Sequence, residues 1–205
     1  VISQTDIEDY HATLETIRWI VHGIIPEGMT IAGGKPKIGK SWLFLQMALN
    51  VVGGQQVLGR YSSTKSEVLY LALEDNRARL QDRVRKLCGG TPPPPGLRFI
   101  TATDSFPRLD NGGLDQLRQH VKRHPETRFI VIDTLQKIKP FAKGKGNAYE
   151  QDVAACSALH KFALEHRLAI VLVHHLRRGG LRMSSMSCPA VSGCPALRIP
   201  TSSFE

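Results

Sequence analysis

A chain of 205 residues with 41% hydrophobic content suits one compact α/β domain with a real core. Its formal charge of +9 favours polyanionic partners through long-range attraction and counterion release, while saying nothing about the fold. It contains no apolar run of about 18 residues, so no membrane span is expected. The first ten residues lack the basic-then-apolar order of a secretory signal, which leaves a cytoplasmic location as the expectation. The four cysteines form no C-x-x-C pair, and none has histidines at zinc-finger spacing, so no metal cluster is expected.

In chain order, Ile7, Tyr10, Leu14, Ile17, Ile20 and Val21 recur at helical spacing and predict an amino-terminal helix and lead-in over residues 1–28. Trp19 on that helix is expected either to pack near a bound ligand or, the preferred reading, to seal the helix against the sheet. Residues 29–32 read as a short strand, followed by a glycine-rich turn and a helix over 42–52 that Gly53 and Gly54 end. The continuous apolar run 68–73 is the pattern of a parallel strand buried on both faces. A very basic helix over 76–87 comes next, with Leu80, Val84 and Leu87 turned inward and its arginines read as a solvated face. Pro92 to Pro95 form a stiff connector.

Residues 97–101 and 129–132 predict further strands, with a helix over 114–124 between them. A helix over 151–166 and a strand over 169–173 complete the alternation. Strands alternating with helices imply right-handed βαβ units, hence a three-layer α/β domain with a mostly parallel sheet. Ligands in such sheets bind beyond the carboxyl ends of the strands. From Leu181 to Glu205 no period is sustained, and an irregular tail is expected after a core spanning 1–180.

The turn Gly34-Lys35-Pro36-Lys37-Ile38-Gly39-Lys40-Ser41 fits G-x-x-x-x-G-K-[ST] between a strand and a helix, the context that phosphate binding requires. Its backbone N–H groups can face inward on phosphate, with the helix dipole behind them. Lys40 would reach the β- and γ-phosphates of ATP, and the Ser41 hydroxyl would ligate Mg²⁺. Asp133, at the end of an apolar strand, suits a carboxylate holding Mg²⁺ through water. Glu74 ends another strand and could polarise the attacking water, while Asp75 is placed to cap the next helix. His174 and His175 close the last strand, where an imidazole could contact the γ-phosphate.

Two basic loops follow these strands, one running from Lys137 to Lys145 and the other from Arg177 to Arg182; both suit a nucleic-acid backbone.

These segments together resemble the RecA-like AAA ATPases related to plasmid RepA-type hexameric replicative helicases. The resemblance rests on four ordered stretches, 34–42, 68–75, 129–136 and 171–178. It implies phosphate binding by residues from Gly34 to Trp42, with Lys40, Glu74 and His175 catalytic, and Mg²⁺ held by Ser41 and by Asp133 through water. It also implies single-stranded DNA as partner of the two basic loops, and a hexameric ring with ATP sites between subunits. Such proteins continue after residue 180 into further strands, a pattern that 181–205 lacks, so the expected core is incomplete at its carboxyl end. The function expected is ATP hydrolysis coupled to DNA replication or recombination. An ATP-binding regulatory module without turnover is the alternative. A small-molecule kinase is disfavoured because the Glu74 and Asp133 arrangement suits water.

Overall fold

The computed structural model describes residues 17–140 and 148–175. The helix expected at the amino terminus lies outside the described residues up to position 16. So do most of the loop ending at Lys145, the loop from Arg177 to Arg182, and the tail 181–205.

At its described end, the expected helix gives way to strand. Trp19–Val21 forms β1, paired antiparallel with β2, Ile25–Pro26. An aromatic followed by two β-branched residues fits a pleated strand as well as a helix stripe. The carbonyl of Ile20 accepts from Thr64 N–H and that of Ser62 from His22 N–H, which commits the segment to extended pairing. Trp19 stacks on His22 with centroids 6.2 Å apart, so it closes this hairpin and not a helix.

Five parallel strands form the central sheet: β3 (Gly28–Gly34), β4 (Glu67–Ala72), β5 (Leu97–Thr101), β6 (Thr127–Asp133) and β7 (Ala169–His175). Their spatial order is β3-β7-β6-β4-β5. Helix α1 (Lys40–Gly53) carries the chain from β3 past β7 and β6 to β4. Helix α2 (Arg77–Leu87) follows β4, α3 (Gly113–Arg123) follows β5, the single turn α4 (Leu135–Ile138) follows β6, and α5 (Ala148–His166) precedes β7.

Strand alternation splits the core in two. Val68, Tyr70, Val131, Val171 and Val173 face α1 and α2 on one side of the sheet. Leu69, Leu71, Ile130, Ile132, Ile170 and Leu172 face α3, α4 and α5 on the other. The result is a three-layer α/β/α domain. Phe129 to Ile132 and Ile170 to Val173 are fully enclosed, each large side chain contributing about 2 kcal/mol by leaving water. This rigid centre fixes the carboxyl ends of β3, β4, β6 and β7 at one edge, where the chemistry-bearing residues gather. No helix among the described residues is long and apolar enough to cross a membrane.

Candidate nucleotide site

At the end of β3 the chain leaves the sheet and turns back into α1. Gly39 makes that turn at φ 87°, a left-handed conformation that costs an L side chain strain and glycine none. Gly34 permits a second close approach: a Cβ there would come within 2.7 Å of Ile38 Cδ1 and 3.5 Å of Lys40 Cδ. The first residue of α1 is Lys40, only 3% exposed, and its ammonium donates to the carbonyls of Gly34 at 2.9 Å and Lys35 at 2.7 Å. The ammonium is therefore curled into the mouth of its own loop. Burial lowers its pKa, opposed by the charges of Asp133 and Glu74.

Asp133 ends β6 and is 5% exposed. Burial raises its pKa, while hydrogen bonds from the Ser41 and Tyr70 hydroxyls favour its charged form. Tyr70, from the middle of β4, lies 3.3 Å from Asp133 Oδ2 and 3.2 Å from the Ser41 carbonyl. Its phenol is held neutral, pushed well above its usual pKa by burial and then by the charge of Asp133. Ser41 and Asp133 thus present two hard oxygen donors side by side, a set that fits Mg²⁺.

Glu74 lies just beyond β4. One carboxylate oxygen accepts from the buried Thr134 hydroxyl at 3.1 Å, and the other stands 3.5 Å from His175 Nε2. In the register of β3 with β7, Gly33 and Gly34 lie opposite His174 and His175, so the glycines let the imidazole-bearing strand end run beside the loop. His175 faces the α1 side and Glu74. His174 is the next residue on an alternating strand; burial lowers its pKa, with the charge of Asp152 opposing and that of Lys139 adding.

A cavity of about 280 Å³ opens here, lined by Lys37, Gly39, Lys40, Ser41, Trp42, Arg83 and His175. Of the residues expected to contact nucleotide, Lys37, Gly39, Lys40, Ser41 and Trp42 line it. Gly34 and Lys35 supply carbonyls to Lys40, while Pro36 and Ile38 form the outer part of the turn, with Ile38 40% exposed. The structure brings Lys40, Ser41, Glu74, Asp133 and His175 to one locus, and it leaves His174 on the other face of the sheet.

Two expectations need correction. Asp75 does not cap α2; the Asn76 side chain does, accepting from Arg79 N–H at 2.9 Å. Asp75 is instead a buried acid bonded by Arg83 at 2.5 Å and Arg79 at 3.3 Å. Nor is the basic face of α2 wholly solvated. Arg83, with a side chain 21% exposed, is held between Asp75 and the ring of Trp42, its guanidinium carbon 5.4 Å from the ring centroid. It adds a fixed positive charge at the cavity wall. The missed residues are Tyr70, Thr134 and Arg83. Signals for two existed: a lone hydroxyl within an apolar run, and a threonine directly after the strand-ending acid.

Among proteins of known structure, the fold is similar to a DnaB-like replicative helicase solved to show its interactions with primase, with TM-score 0.56 and 15% identity over 83% of this chain and 47% of that one. It is also similar to a separately solved ATPase domain, with TM-score 0.54 and 18% identity over 74% and 58% of the two chains. In sequence, the chain is 23% identical over 180 residues to the DNA repair protein RadA of Streptococcus pneumoniae, covering 87% of this chain and 36% of that protein. The RadA of Streptococcus pyogenes serotype M1 is 22% identical over 179 residues, 87% of this chain and 33% of the relative. The chain therefore spans about a third of the length of these curated relatives. These likenesses show the fold, a three-layer RecA-like α/β domain with a mostly parallel sheet. A family description, AAA domain, matches residues 1–180, and the chain belongs to that family, AAA_25.

Proposed function

We propose that the chain binds Mg-ATP at the turn from Gly34 to Ser41 and hydrolyses it, coupling nucleotide state to the handling of DNA. One observation carries this reading. Two carboxylates from the ends of adjacent strands, Asp133 of β6 and Glu74 just after β4, converge on the buried Lys40 and the start of α1. A regulatory binding fold has no need of a second acid held by Thr134 and faced by an imidazole.

The roles follow from position. Lys40, released from the loop carbonyls, supplies positive charge to the terminal phosphates, and the loop N–H groups and helix dipole bind the rest of the chain of phosphates. Ser41 and Asp133 would hold Mg²⁺, Asp133 through water, and the ion would supply positive charge to the bound phosphates. Glu74, with one oxygen fixed by Thr134, is oriented to accept a proton from the attacking water. His175 links Glu74 to the end of β7, so that loss of the terminal phosphate is felt by the strand that leads to Arg177.

A DNA partner is supported by the charge of +9, by the exposed Lys137 at the same edge of the sheet, and by the RadA and DnaB-like relatives. A homo-oligomeric, hexameric ring belongs to the same reading. Phosphate release measured with and without single-stranded DNA tests it. The expected result is turnover that DNA accelerates and that Lys40→Ala abolishes. Tight Mg-ATP binding with no response to DNA at any salt concentration would remove the DNA half of the proposal.

A further inference from the structure

The walls of the cavity beside α1 divide by chemistry. Lys37, Gly39, Lys40, Ser41 and His175 offer cations, a backbone N–H and a hydroxyl, groups that meet phosphate oxygens and a metal ion. Trp42 and Arg83 offer two flat π systems, and phosphate and metal binding have no use for an indole. Trp42 follows Ser41 in the first turn of α1. Phe44 and Leu45, two and three residues on, fill the core at 2% and 0% exposure, while Trp42 keeps 37% of its surface open. Leaving so large an apolar ring open forgoes burial that the fold would otherwise gain.

Arg83 reaches the ring from α2, its guanidinium carbon 5.4 Å from the ring centroid. The guanidinium is fixed before any ligand arrives. It donates to Asp75 Oδ2 at 2.5 Å, and that buried acid is also held by Arg79 at 3.3 Å. Tied to Asp75, Arg83 is less free to turn toward phosphate and is set to brace the indole.

We propose that Trp42, braced by Arg83, is the shelf on which the nucleobase of the bound triphosphate stacks. The inference rests on the nucleotide reading above and deepens it, by assigning the base end of the ligand to one wall of the same cavity. A triphosphate seated in the turn from Gly34 to Ser41 sets its phosphates on Lys40 and leaves the nucleoside to extend along the remaining wall. A purine stacked on an indole buries apolar area on both partners, and the cation beside the ring adds attraction to the same π cloud. Stacking reads a flat face and not a pattern of donors and acceptors, so the shelf supplies affinity common to purines.

Equilibrium binding of Mg-ATP and of Mg-tripolyphosphate, which has the phosphates and no base, separates the shelf from the loop. Trp42→Ala should weaken Mg-ATP about tenfold and leave Mg-tripolyphosphate within about twofold of the native protein. Equal loss for both ligands, or no loss for either, overturns the inference. Absence of binding of both ligands by the native protein overturns the nucleotide reading, and the shelf with it. A second measurement does not depend on how Trp42→Ala folds. The chain has two tryptophans, Trp19 and Trp42, so Trp19→Phe leaves Trp42 as the reporter. Its emission should be quenched at saturating Mg-ATP and should hold with Mg-tripolyphosphate. The same change with both ligands, or none with bound Mg-ATP, overturns the inference.

Discussion

The hydroxyl of Tyr70 reaches Asp133 Oδ2 at 3.3 Å and the carbonyl of Ser41 at 3.2 Å, so one buried phenol links the acid that ends β6 to the first turn of α1. The register makes this possible. Tyr70 pairs with Val131 and Ala72 with Asp133, which sets Tyr70 and Asp133 on the same face one step apart. Removing that hydroxyl with Tyr70→Phe leaves the packing and withdraws a donor from a buried carboxylate. The expected cost is about 1 kcal/mol of stability, together with a several-fold higher Mg²⁺ requirement for turnover. Thermal melting and a Mg²⁺ titration of phosphate release check the two effects.

An ionised Asp133 costs the fold stability. Burial raises its pKa, so the folded state holds a proton more readily than the unfolded chain does. Its ionised form is therefore a burden on the fold above the folded-state pKa. The burden is relieved as pH falls through that value toward the usual 3.8. Asp133→Asn should accordingly melt at a higher temperature than the native chain at neutral pH, while losing Mg²⁺-dependent turnover. A variant that melts lower would show that the hydrogen bonds from Ser41 and Tyr70 outweigh desolvation.

Glu74 and Thr134 form a pair across 3.1 Å. With the carboxylate replaced in Glu74→Gln, ATP binding should be retained and phosphate release slowed by roughly 10²- to 10⁴-fold, the usual worth of a positioned general base. Thr134→Val should show a smaller loss in the same direction, about tenfold, through misorientation of Glu74. Single-turnover kinetics separate chemistry from binding in both variants.

The buried parallel strands were legible because enclosure on both faces demands uninterrupted apolar runs, as in Val68 to Leu73 and Phe129 to Ile132. The turn from Gly34 to Ser41 was legible as a tight strand-to-helix turn because its glycine positions answer to backbone geometry within a single turn of chain. What escaped depends on contacts between distant segments. Tyr70 looks like one more member of an apolar strand until β6 brings Asp133 beside it. Arg83 looks solvated until the start of α1 places Trp42 against it and Asp75 turns inward. Trp19 to Val21 are too few residues for periodicity to choose helix or strand, and pairing with β2 decides it.

At the far end of the sheet, His120 has its pKa lowered to about 4, first by burial, then by His124 and Arg98, with Glu67 opposing and Arg123 adding slightly. Its ring lies 4.8 Å from that of His124 and its Nε2 3.3 Å from Thr127 Oγ1. The unfolded chain takes up this proton near pH 6.5 and the folded chain only near 4, so stability falls as pH drops through that window. From pH 7 to pH 5 the loss from this group is roughly 1–2 kcal/mol after allowance for partial exposure. Urea melts of native protein and His120→Gln across that range should converge at low pH, and parallel curves would contradict the assignment.

Uptake of a triphosphate by the turn between β3 and α1 is the claim on which the rest depends. Equilibrium titration of Mg-ATP into native protein and Lys40→Ala tests it directly. The native chain is expected to bind in the micromolar range, about 1–100 μM, with affinity that falls when Mg²⁺ is chelated, and the variant to bind at least about tenfold more weakly. Equal affinity in the two proteins, or no binding by either, would contradict it.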